Sequence, residues 1–265
     1  MSRPEDVLPP DLYYNESRSA QYTSNTRIQK VQAEMTRRAL SLLNLQTPSL
    51  VLDVGCGSGL SGAMLSEAGH AWIGLDISAA MLAVALEADV DGDMLLADAG
   101  QGLAFRPGSF DAAISISAVQ WLCNAESADE SAEGRLRRFF ESLYSCLKRG
   151  ARAVCQFYPR DDKQKKLVSD AAIKAGFGAG LLEDGAGTKQ AKVYLVLTVG
   201  EAGDITNVIN GLDGVEVDDM RKRREKKDRM SRRDEILRTK ERALRKGKIV
   251  KANSKYTGRK RRIKF

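Results

Sequence analysis

Apolar and polar positions alternate in blocks along residues 50–157, and the blocks predict strands and helices in turn. Short apolar runs of the length of a buried strand begin at Leu50, Ala71, Met94, Ala112 and Ala151. Helical spacing is found near residues 60–68, 78–87, 133–147 and 162–175. Such alternation is typical of a parallel sheet with helices on both faces.

The two ends of this region extend the prediction. Residues 26–43 carry apolar side chains at helical spacing and predict an amphipathic helix, with Ser24 or Asn25 as its cap. Three tyrosines in the polar stretch before it predict a lid segment: Tyr13, Tyr14 and Tyr22. Residues 177–182 and 193–199 are apolar, and the short polar link between them leaves no room for a helix, so they predict an antiparallel hairpin.

The predicted architecture is therefore α/β, with a mostly parallel seven-stranded sheet that ends in an antiparallel pair. The organisation along the chain is an N-terminal lid segment and helix (1–48), the main domain (49–200), a polar acidic linker (201–220) and a basic tail (221–265). The tail has helix-forming composition up to about residue 246 and few apolar residues. We expect it to be disordered or weakly helical until it is bound.

Charge divides the chain sharply. Residues 221–265 contain 22 Lys or Arg and 5 Asp or Glu, a formal charge of +17, whereas residues 1–220 contain 20 and 30, a formal charge of −10. This asymmetry indicates a polyanionic partner or a nuclear import signal.

Composition excludes several classes of function. No apolar stretch approaches the 18 or more residues of a membrane span, and the first ten residues lack a signal peptide, so no membrane association is expected. The four cysteines lack paired spacing and are expected to be reduced residues of an intracellular protein. His70 is the only histidine, which argues against a histidine-rich metal site and against Ser–His catalysis; no metal is expected.

The most informative motif is VLDVGCGSG at residues 51–59. An acidic residue, Asp53, precedes Gly55, Cys56, Gly57 and Gly59, and glycines allow a ligand to lie directly on the backbone. This pattern is typical of S-adenosylmethionine (SAM) sites, in which the carboxylate suits the ammonium group of the methionine part. A dinucleotide site is the alternative, because Gly57, Gly59 and Gly62 also satisfy G-x-G-x-x-G, and a tight structural turn is the third.

Two aspartates close the next predicted strands. Asp76 ends the second strand, where its carboxylate could accept hydrogen bonds from both ribose hydroxyls; alternatively it caps the following helix. Asp98 ends the third and could accept from the adenine amino group, or be a simple turn residue. Ile77 and Ala99 follow these aspartates and are expected to flank the adenine.

The methyl acceptor is expected at the ends of the fourth and fifth strands. Ser115 and Ser117 would lie near the cofactor, and Gln120 and Trp121 near the acceptor. Phe157 and Tyr158 follow the fifth strand, and flat rings beside a methyl donor suit a nucleobase. For each of these rings ordinary packing is the alternative.

Several longer segments resemble one eukaryotic family, the 18S rRNA guanine-N7 methyltransferases, also called Williams–Beuren syndrome region methyltransferases. The segments are RPEDVLPPDLYYNES, YTSNTRIQKVQAEM, LDVGCGSGLSG, SFDAAISISAVQWLCNA, QFYP and YTGRKRR. The resemblance spans nearly the whole chain and is weakest at 178–220. It implies a Rossmann-like class I SAM-dependent methyltransferase that methylates N7 of a guanine in small-subunit ribosomal RNA.

The same resemblance implies a setting and partners. These are small ribosomal subunit biogenesis, pre-ribosomal RNA and its precursor particles, and a heterodimer with a small zinc-binding methyltransferase activator subunit. It implies a location in the nucleus and nucleolus and leaves a cytoplasmic pool open. In the strand order of this fold, residues 93–97 form an apolar edge strand, on which we expect the activator to pair by strand addition.

Guanine N7 carries a lone pair and no proton at neutral pH, so no general base is expected and no catalytic residue is predicted. Two other functions stay open at this stage. One is a small-molecule methyltransferase with the same fold, because fold does not fix substrate. The other is an assembly factor on pre-ribosomes for which catalysis is dispensable.

Overall fold

The computed structural model describes residues 3–124, 130–185, 191–200, 217–218, 232–246, 250 and 252–253. The chain forms two compact units, residues 1–218 and residues 219–265. In the described part, no helix is long and apolar enough to cross a membrane.

The first unit is built on one mixed sheet. Its strands are β1 (Leu50–Val54), β2 (Ala71–Asp76), β3 (Asp93–Leu96), β4 (Phe110–Ile116), β5 (Leu147–Phe157), β6 (Gly178–Asp184), β7 (Lys192–Thr198) and β8 (Val217–Asp218). Their order is β3-β2-β1-β4-β5-β7-β6-β8. Strands β1 to β5 are parallel to one another, whereas β7 is antiparallel to both β5 and β6.

The predicted hairpin is confirmed, but the sheet has one more strand than the seven expected. The short strand β8 pairs antiparallel with β6, so that Leu181 lies opposite Asp218. It falls within residues 201–220, which the sequence predicted to be an acidic linker. Two residues between polar neighbours carry no strand pattern, and this strand exists only because the edge of β6 is available to it. The rest of that segment lies outside the described residues.

Eight helices accompany the described strands. They are α1 (Pro10–Tyr13), α2 (Glu16–Ser24), α3 (Thr26–Leu43), α4 (Leu60–Glu67), α5 (Ala79–Glu87), α6 (Ala132–Cys146), α7 (Asp162–Lys174) and α8 (Arg232–Arg245). Three short 3-10 helices cover Pro4–Asp6, Ala99–Gln101 and Val119–Cys123. Helix α3 has the predicted bounds, and Asn25 rather than Ser24 caps it, since the Asn25 Oδ1 accepts from the Arg27 and Ile28 amides.

Helix α8 belongs to the second unit. It ends where the helix-forming composition of the tail was predicted to end, at Arg245. The Lys240 ammonium donates to the Ala252 carbonyl at 3.3 Å and to Asn253 Oδ1 at 2.9 Å. The Lys/Arg-rich end beyond residue 253, and with it the expectation of disorder there, lies outside the described residues.

Strand alternation gives the sheet a separate apolar core on each face. Leu52 packs with α6 and α7 on one face, whereas its neighbour Val51 packs with α3 and α4 on the other. On β5 the same alternation sends Phe157 to the α6 and α7 face and Val154 to the α3 face. Because β1, β2, β3 and β4 are parallel, their carboxyl ends lie at the same edge of the sheet, between the two cores. The direction of strand order changes between β1 and β4, which is where ligands bind in open α/β sheets.

Candidate cofactor and acceptor site

The loop after β1 forms the floor of a large cavity at this edge. The backbone amides of Gly55 and Cys56 donate to the Leu75 carbonyl at 2.8 and 3.1 Å, which holds the loop against the end of β2. Gly55 has φ +78, and a Cβ there would lie 2.3 Å from the Ala118 Cβ. Gly57 has φ +54 and lines the cavity with its backbone. Gly55 has no room for a side chain and the positive φ of Gly57 favours glycine, so the loop can bring bare backbone against a ligand.

The cavity encloses about 900 Å³, counting the space at its mouth. Its walls include the predicted cofactor residues Gly55, Cys56, Gly57, Asp76, Ile77, Asp98, Ala99 and Ser115. The Ser115 hydroxyl donates to the Val54 carbonyl at 2.8 Å, so it can only accept from a ligand.

Asp76 links the end of β2 to the glycine loop. Its Oδ2 accepts from the Gly57 amide at 2.9 Å and its Oδ1 from the Ser78 amide at 2.8 Å. The cap of α5 is Ser78, whose hydroxyl accepts from the Met81 amide, so the alternative reading of Asp76 as that cap is wrong. Burial raises the pKa of Asp76. A carboxylate has about four acceptor positions, so Asp76, which lines the cavity, can still accept from a ligand.

Asp98 has a structural role and also lines the cavity. Its Oδ1 accepts from the Gly100 amide at 2.8 Å, as the cap of a 3-10 helix, and from the Arg135 guanidinium at 3.0 Å. Arg135 is almost fully buried and lines the cavity beside it. The sequence analysis missed Arg135. The available signal was an arginine on the apolar stripe of α6, one residue before Leu136 and four before Phe139.

Asp53 and Gly59 lie behind the cavity wall, in contrast to the expectation that both contact the cofactor. Asp53 is fully buried and accepts from the Ser61 hydroxyl at 2.5 Å, while its Oδ1 has no hydrogen-bond partner among the described residues. Burial raises the pKa of Asp53 to about 7. Gly59 begins α4 at φ +81, and its Cα faces Val90 rather than the cavity. Both residues shape the loop from behind.

The N-terminal tyrosines cover the cavity from the other side. Tyr14 and Tyr22 line it, and the Ser78 hydroxyl donates to the Tyr14 carbonyl at 2.8 Å. Burial raises the pKa of Tyr22 to about 12, so its phenol is neutral. The rings of Tyr13 and Tyr14 each lie 5.7 Å from Trp121. The segment predicted to be a lid therefore packs directly over the cofactor cavity.

Of the four predicted acceptor residues, only Trp121 lines this cavity. Phe157 is fully buried in the α6 and α7 core, because its position in β5 points it away from α3. Tyr158 directs its hydroxyl to the Met35 sulfur at 3.2 Å. Gln120 is buried and donates to the Ser117 carbonyl at 2.8 Å. The fully buried Phe157 cannot reach an acceptor, which corrects its predicted role, whereas acceptor roles for Gln120 and Tyr158 outside this cavity stay predictions.

Ser117 lies in the cavity wall in an unusual conformation. Its φ is +60, a left-handed value that is uncommon outside glycine. The Ser117 amide donates to the Gln156 carbonyl at 2.9 Å and its hydroxyl to Gln156 Oε1 at 2.8 Å. These bonds to the end of β5 hold the strained residue. The sequence predicted Ser117 near the cofactor but gave no indication of its conformation.

Comparison with known proteins assigns the chain to a family. A family model described as "Methyltransferase domain" matches residues 52–155, and one described as "Methyltransferase involved in Williams-Beuren syndrome" matches residues 198–263. The 18S rRNA (guanine(1575)-N(7))-methyltransferase of Saccharomyces cerevisiae is 49% identical over all of both chains. The corresponding enzyme of Arabidopsis thaliana is 47% identical over all of this chain and 99% of its own.

The chain belongs to the 18S rRNA (guanine-N7)-methyltransferase family. A mouse member of the family is 45% identical over 99% of this chain and 98% of its own. The fold is that of class I SAM methyltransferases. A phosphoethanolamine N-methyltransferase of Haemonchus contortus, solved with S-adenosyl-L-methionine, superposes with a TM-score of 0.55 at 18% identity, over 76% of this chain and 61% of its own.

A protein of Pyrococcus horikoshii superposes with a TM-score of 0.53 at 19% identity, over 68% of this chain and 99% of its own. With the antiparallel β7 between β5 and β6, the fold excludes the dinucleotide interpretation of the glycine loop, and SAM is the cofactor of this methyltransferase. Within the described part of the chain, no group of three or more potential metal ligands lies together.

Proposed function

We propose that this protein transfers the methyl group of SAM to N7 of a guanine in 18S ribosomal RNA during small-subunit assembly. The observation that carries the proposal is the 49% identity to the yeast enzyme over the full length of both chains, including the basic C-terminal region. A shared fold alone would leave the substrate open. Identity at this level over the full length of both chains favours a shared substrate.

SAM supplies a methyl group on a positively charged sulfur. Asp76 would accept hydrogen bonds from the ribose hydroxyls, and Asp98, oriented by Arg135, would accept from the adenine amino group. Ile77 and Ala99 would flank the adenine with apolar surface. The methionine part would lie on the backbone of Gly55 and Gly57. Asp53 would act indirectly, because its carboxylate accepts the hydrogen bond that orients Ser61 in the cavity wall.

The protein's contribution to methyl transfer is mainly geometric. The N7 lone pair forms the new N–C bond, the C–S bond breaks, and its electron pair stays on sulfur. No proton moves, so no general base is needed, which agrees with a cavity wall of rings, backbone groups and two hydrogen-bonded carboxylates. The tyrosines over the cavity pack against Trp121, which lines it, and together these rings would exclude water from the reacting groups.

The partner interactions also belong to this proposal. Strand β3 pairs with β2, and no other described strand pairs with it. Leu95 and Leu96 are 45% and 63% exposed on it. An apolar edge of this kind needs a cover, and the activator subunit implied by the resemblance would supply it by strand addition. The basic tail suits pre-ribosomal RNA and nuclear import, and the function requires a nuclear and nucleolar location.

The experiment is mass-spectrometric mapping of modified bases in 18S rRNA from cells with and without the protein. We expect one 7-methylguanine to disappear on depletion and to return with the wild-type gene. The Gly57→Glu variant should fail to restore it while still associating with precursor particles. An unchanged set of methylated bases on depletion would reject the proposed reaction. If growth and subunit assembly recover with Gly57→Glu but methylation does not, presence rather than catalysis is the essential role.

A further inference from the structure

A second pocket adjoins the cofactor cavity beneath the N-terminal segment. It holds about 490 Å³, counting the open space at its mouth, and shares Pro10 and Trp121 with the cofactor cavity. One wall is the N-terminal segment Glu5–Pro10, and the other is Trp121 and Asn124. The two pockets therefore meet at Pro10 and Trp121.

Three contacts fix the N-terminal wall to the loops after β4 and β5. The Asn124 side-chain amide donates to the Glu5 carbonyl at 2.6 Å. The Arg3 guanidinium donates to the Tyr158 and Pro159 carbonyls at 2.8 and 3.0 Å. Asp6 forms an ion pair with Arg160. The 3-10 helix Pro4–Asp6 is thus held at the carboxyl edge of the sheet, where a substrate would lie.

Glu5 stands out within this wall. Its side chain is only 7% exposed, and no described donor makes a hydrogen bond to its carboxylate. The nearest cation, the Arg3 guanidinium, is 3.7 Å away and already donates to two carbonyls. Asp6, by contrast, is more exposed and has its own partner in Arg160. The Glu5 carboxylate is therefore free to accept hydrogen bonds from a ligand that supplies donors.

Burial raises the pKa of Tyr14, and the negative charge of Glu5 adds to that rise. Tyr14 lines the cofactor cavity, so Glu5 lies close to the boundary between the two pockets.

Guanine carries different groups on the edge that would face the cofactor cavity and on the edge that would face the second pocket. N7 lies on one edge of the base, and the N1–H and N2–H donors lie on the opposite edge. A base placed against Trp121 with N7 toward the cofactor cavity turns both donors toward the second pocket. A carboxylate can accept both hydrogen bonds, whereas adenine presents an unprotonated ring nitrogen at the position of the guanine N1–H, facing the same negative oxygen.

We propose that the pocket between Glu5 and Trp121 receives the target guanine, and that Glu5 selects guanine by accepting hydrogen bonds from its N1–H and N2–H groups. This inference rests on the proposed function and adds a specificity-determining residue to it. N7 gains the methyl carbon and the base becomes a cation, while the bonding pair of the C–S bond stays on sulfur. The carboxylate also stabilises this developing positive charge, so its removal should lower the rate as well as the selectivity.

The test compares guanine with inosine, which lacks the N2 amino group, at the target position of an RNA substrate. The full-length protein, with its activator, is assayed for methyl transfer as wild type, Glu5→Gln and Glu5→Asp. Wild type should methylate the guanine RNA about 10- to 100-fold faster than the inosine RNA, because the lost hydrogen bond is to a charged group. Glu5→Gln should slow the guanine reaction by a similar factor and reduce the preference to near one. Glu5→Asp should keep part of the preference for guanine over inosine.

Glu16→Gln is the matched control, since Glu16 is exposed on α2 and lines neither pocket. Glu16→Gln should keep the wild-type preference for guanine. SAM affinity measured by calorimetry should be unchanged in both Gln variants, which separates base selection from a general collapse of the site. Equal wild-type rates on guanine and inosine, or a wild-type preference retained in folded Glu5→Gln, would overturn the role of Glu5. Absence of transfer to guanine by the wild-type complex would instead contradict the proposed function itself.

Discussion

The Asp76 carboxylate accepts a hydrogen bond from the Gly57 amide at 2.9 Å, and this bond connects the second strand of the sheet to the cofactor loop. The residue proposed to bind the ribose therefore also fixes the backbone proposed to carry the methionine part. A change at Asp76 should consequently affect both ends of the cofactor.

We expect Asp76→Ala to weaken SAM binding by about 1–3 kcal/mol, through the loss of charge-assisted hydrogen bonds. Isothermal calorimetry on the full-length protein measures this. Asp91→Ala is the control, because Asp91 is an exposed carboxylate before β3 and does not line the cavity. An unchanged dissociation constant for Asp76→Ala would reject the ribose role.

Gly57→Glu should abolish detectable SAM binding while the protein stays folded. The new side chain would start 3.1 Å from the Met81 methyl at φ +54 and would place a carboxylate where the backbone faces the cavity. Circular dichroism and calorimetry on the same preparation separate the two effects. Gly69→Glu is a matched control, since Gly69 has a similar positive φ (+80) and open space around it. Wild-type affinity in a folded Gly57→Glu variant would reject the assignment of this loop.

Local pattern was sufficient for most of the fold because its elements are long and strongly periodic. Helix α3 and the strands around the glycine loop begin and end within a few residues of their predicted bounds. The prediction was wrong where the outcome depends on distant partners. Strand β8 needs the edge of β6, and Phe157 follows the side-chain alternation of β5 into a core that sequence spacing does not reveal.

The site shows the same division. Asp76 and Asp98 could be predicted because each ends a recognisable apolar run. Glu5 and Arg135 could not, because each reaches its pocket through contacts with residues more than 30 positions away. Asp53 was placed correctly in the sequence motif, but its depth behind Ser61 depends on how α4 packs against β1.

The buried Asp53 predicts an unusual pH dependence of stability. Burial raises its pKa from 3.8 to about 7. The folded state therefore binds this proton more tightly than the unfolded state, and the stabilisation is full below about pH 4 and is lost as the pH rises through 7. Its slope is at most about 1.4 kcal/mol per pH unit. Asp53→Asn removes the titration.

We therefore expect the unfolding free energy of Asp53→Asn, relative to wild type, to increase between pH 4.5 and pH 7.5 in urea denaturation. Ser61→Ala supplies a companion measurement, because it removes the hydrogen bond that lowers the pKa of Asp53. In this variant the pH-dependent loss of stability should extend to a higher pH than in the wild-type protein. Parallel stability curves for wild type and Asp53→Asn across this range would contradict the buried, proton-binding state of Asp53.

The exposed edge of β3 predicts dependence on the activator. Expressed alone, the protein should be poorly soluble, and co-expression with the activator should recover it. Leu95→Lys puts a charge at the centre of the proposed strand pairing and should lower the amount of complex recovered by co-purification. Leu86→Lys is the control, because Leu86 is also exposed but lies on α5. A complex that survives Leu95→Lys intact would show that the interface is elsewhere.

The basic tail should contact RNA phosphates, which gives an affinity that falls steeply with salt through counterion release. The alternative is that residues such as Arg259 and Lys260 serve only as an import signal. A purified system separates the two, since transport plays no part in it. The truncation should follow Asp218, which is the last residue of the first unit. Truncation after Gly214 would instead remove β8 from the sheet.

We expect the 1–218 variant to keep wild-type SAM affinity, because every residue proposed to bind the cofactor precedes residue 120. The same variant should bind pre-ribosomal RNA more weakly and with a shallower dependence of log K on log salt, because residues 221–265 carry a formal charge of +17. A full-length variant with the Lys and Arg residues of the tail changed to Gln is the control, because it removes the positive charge without shortening the chain. Equal RNA affinity of the truncated and full-length proteins across a salt series would reject RNA binding by the tail and favour its role as a nuclear import signal.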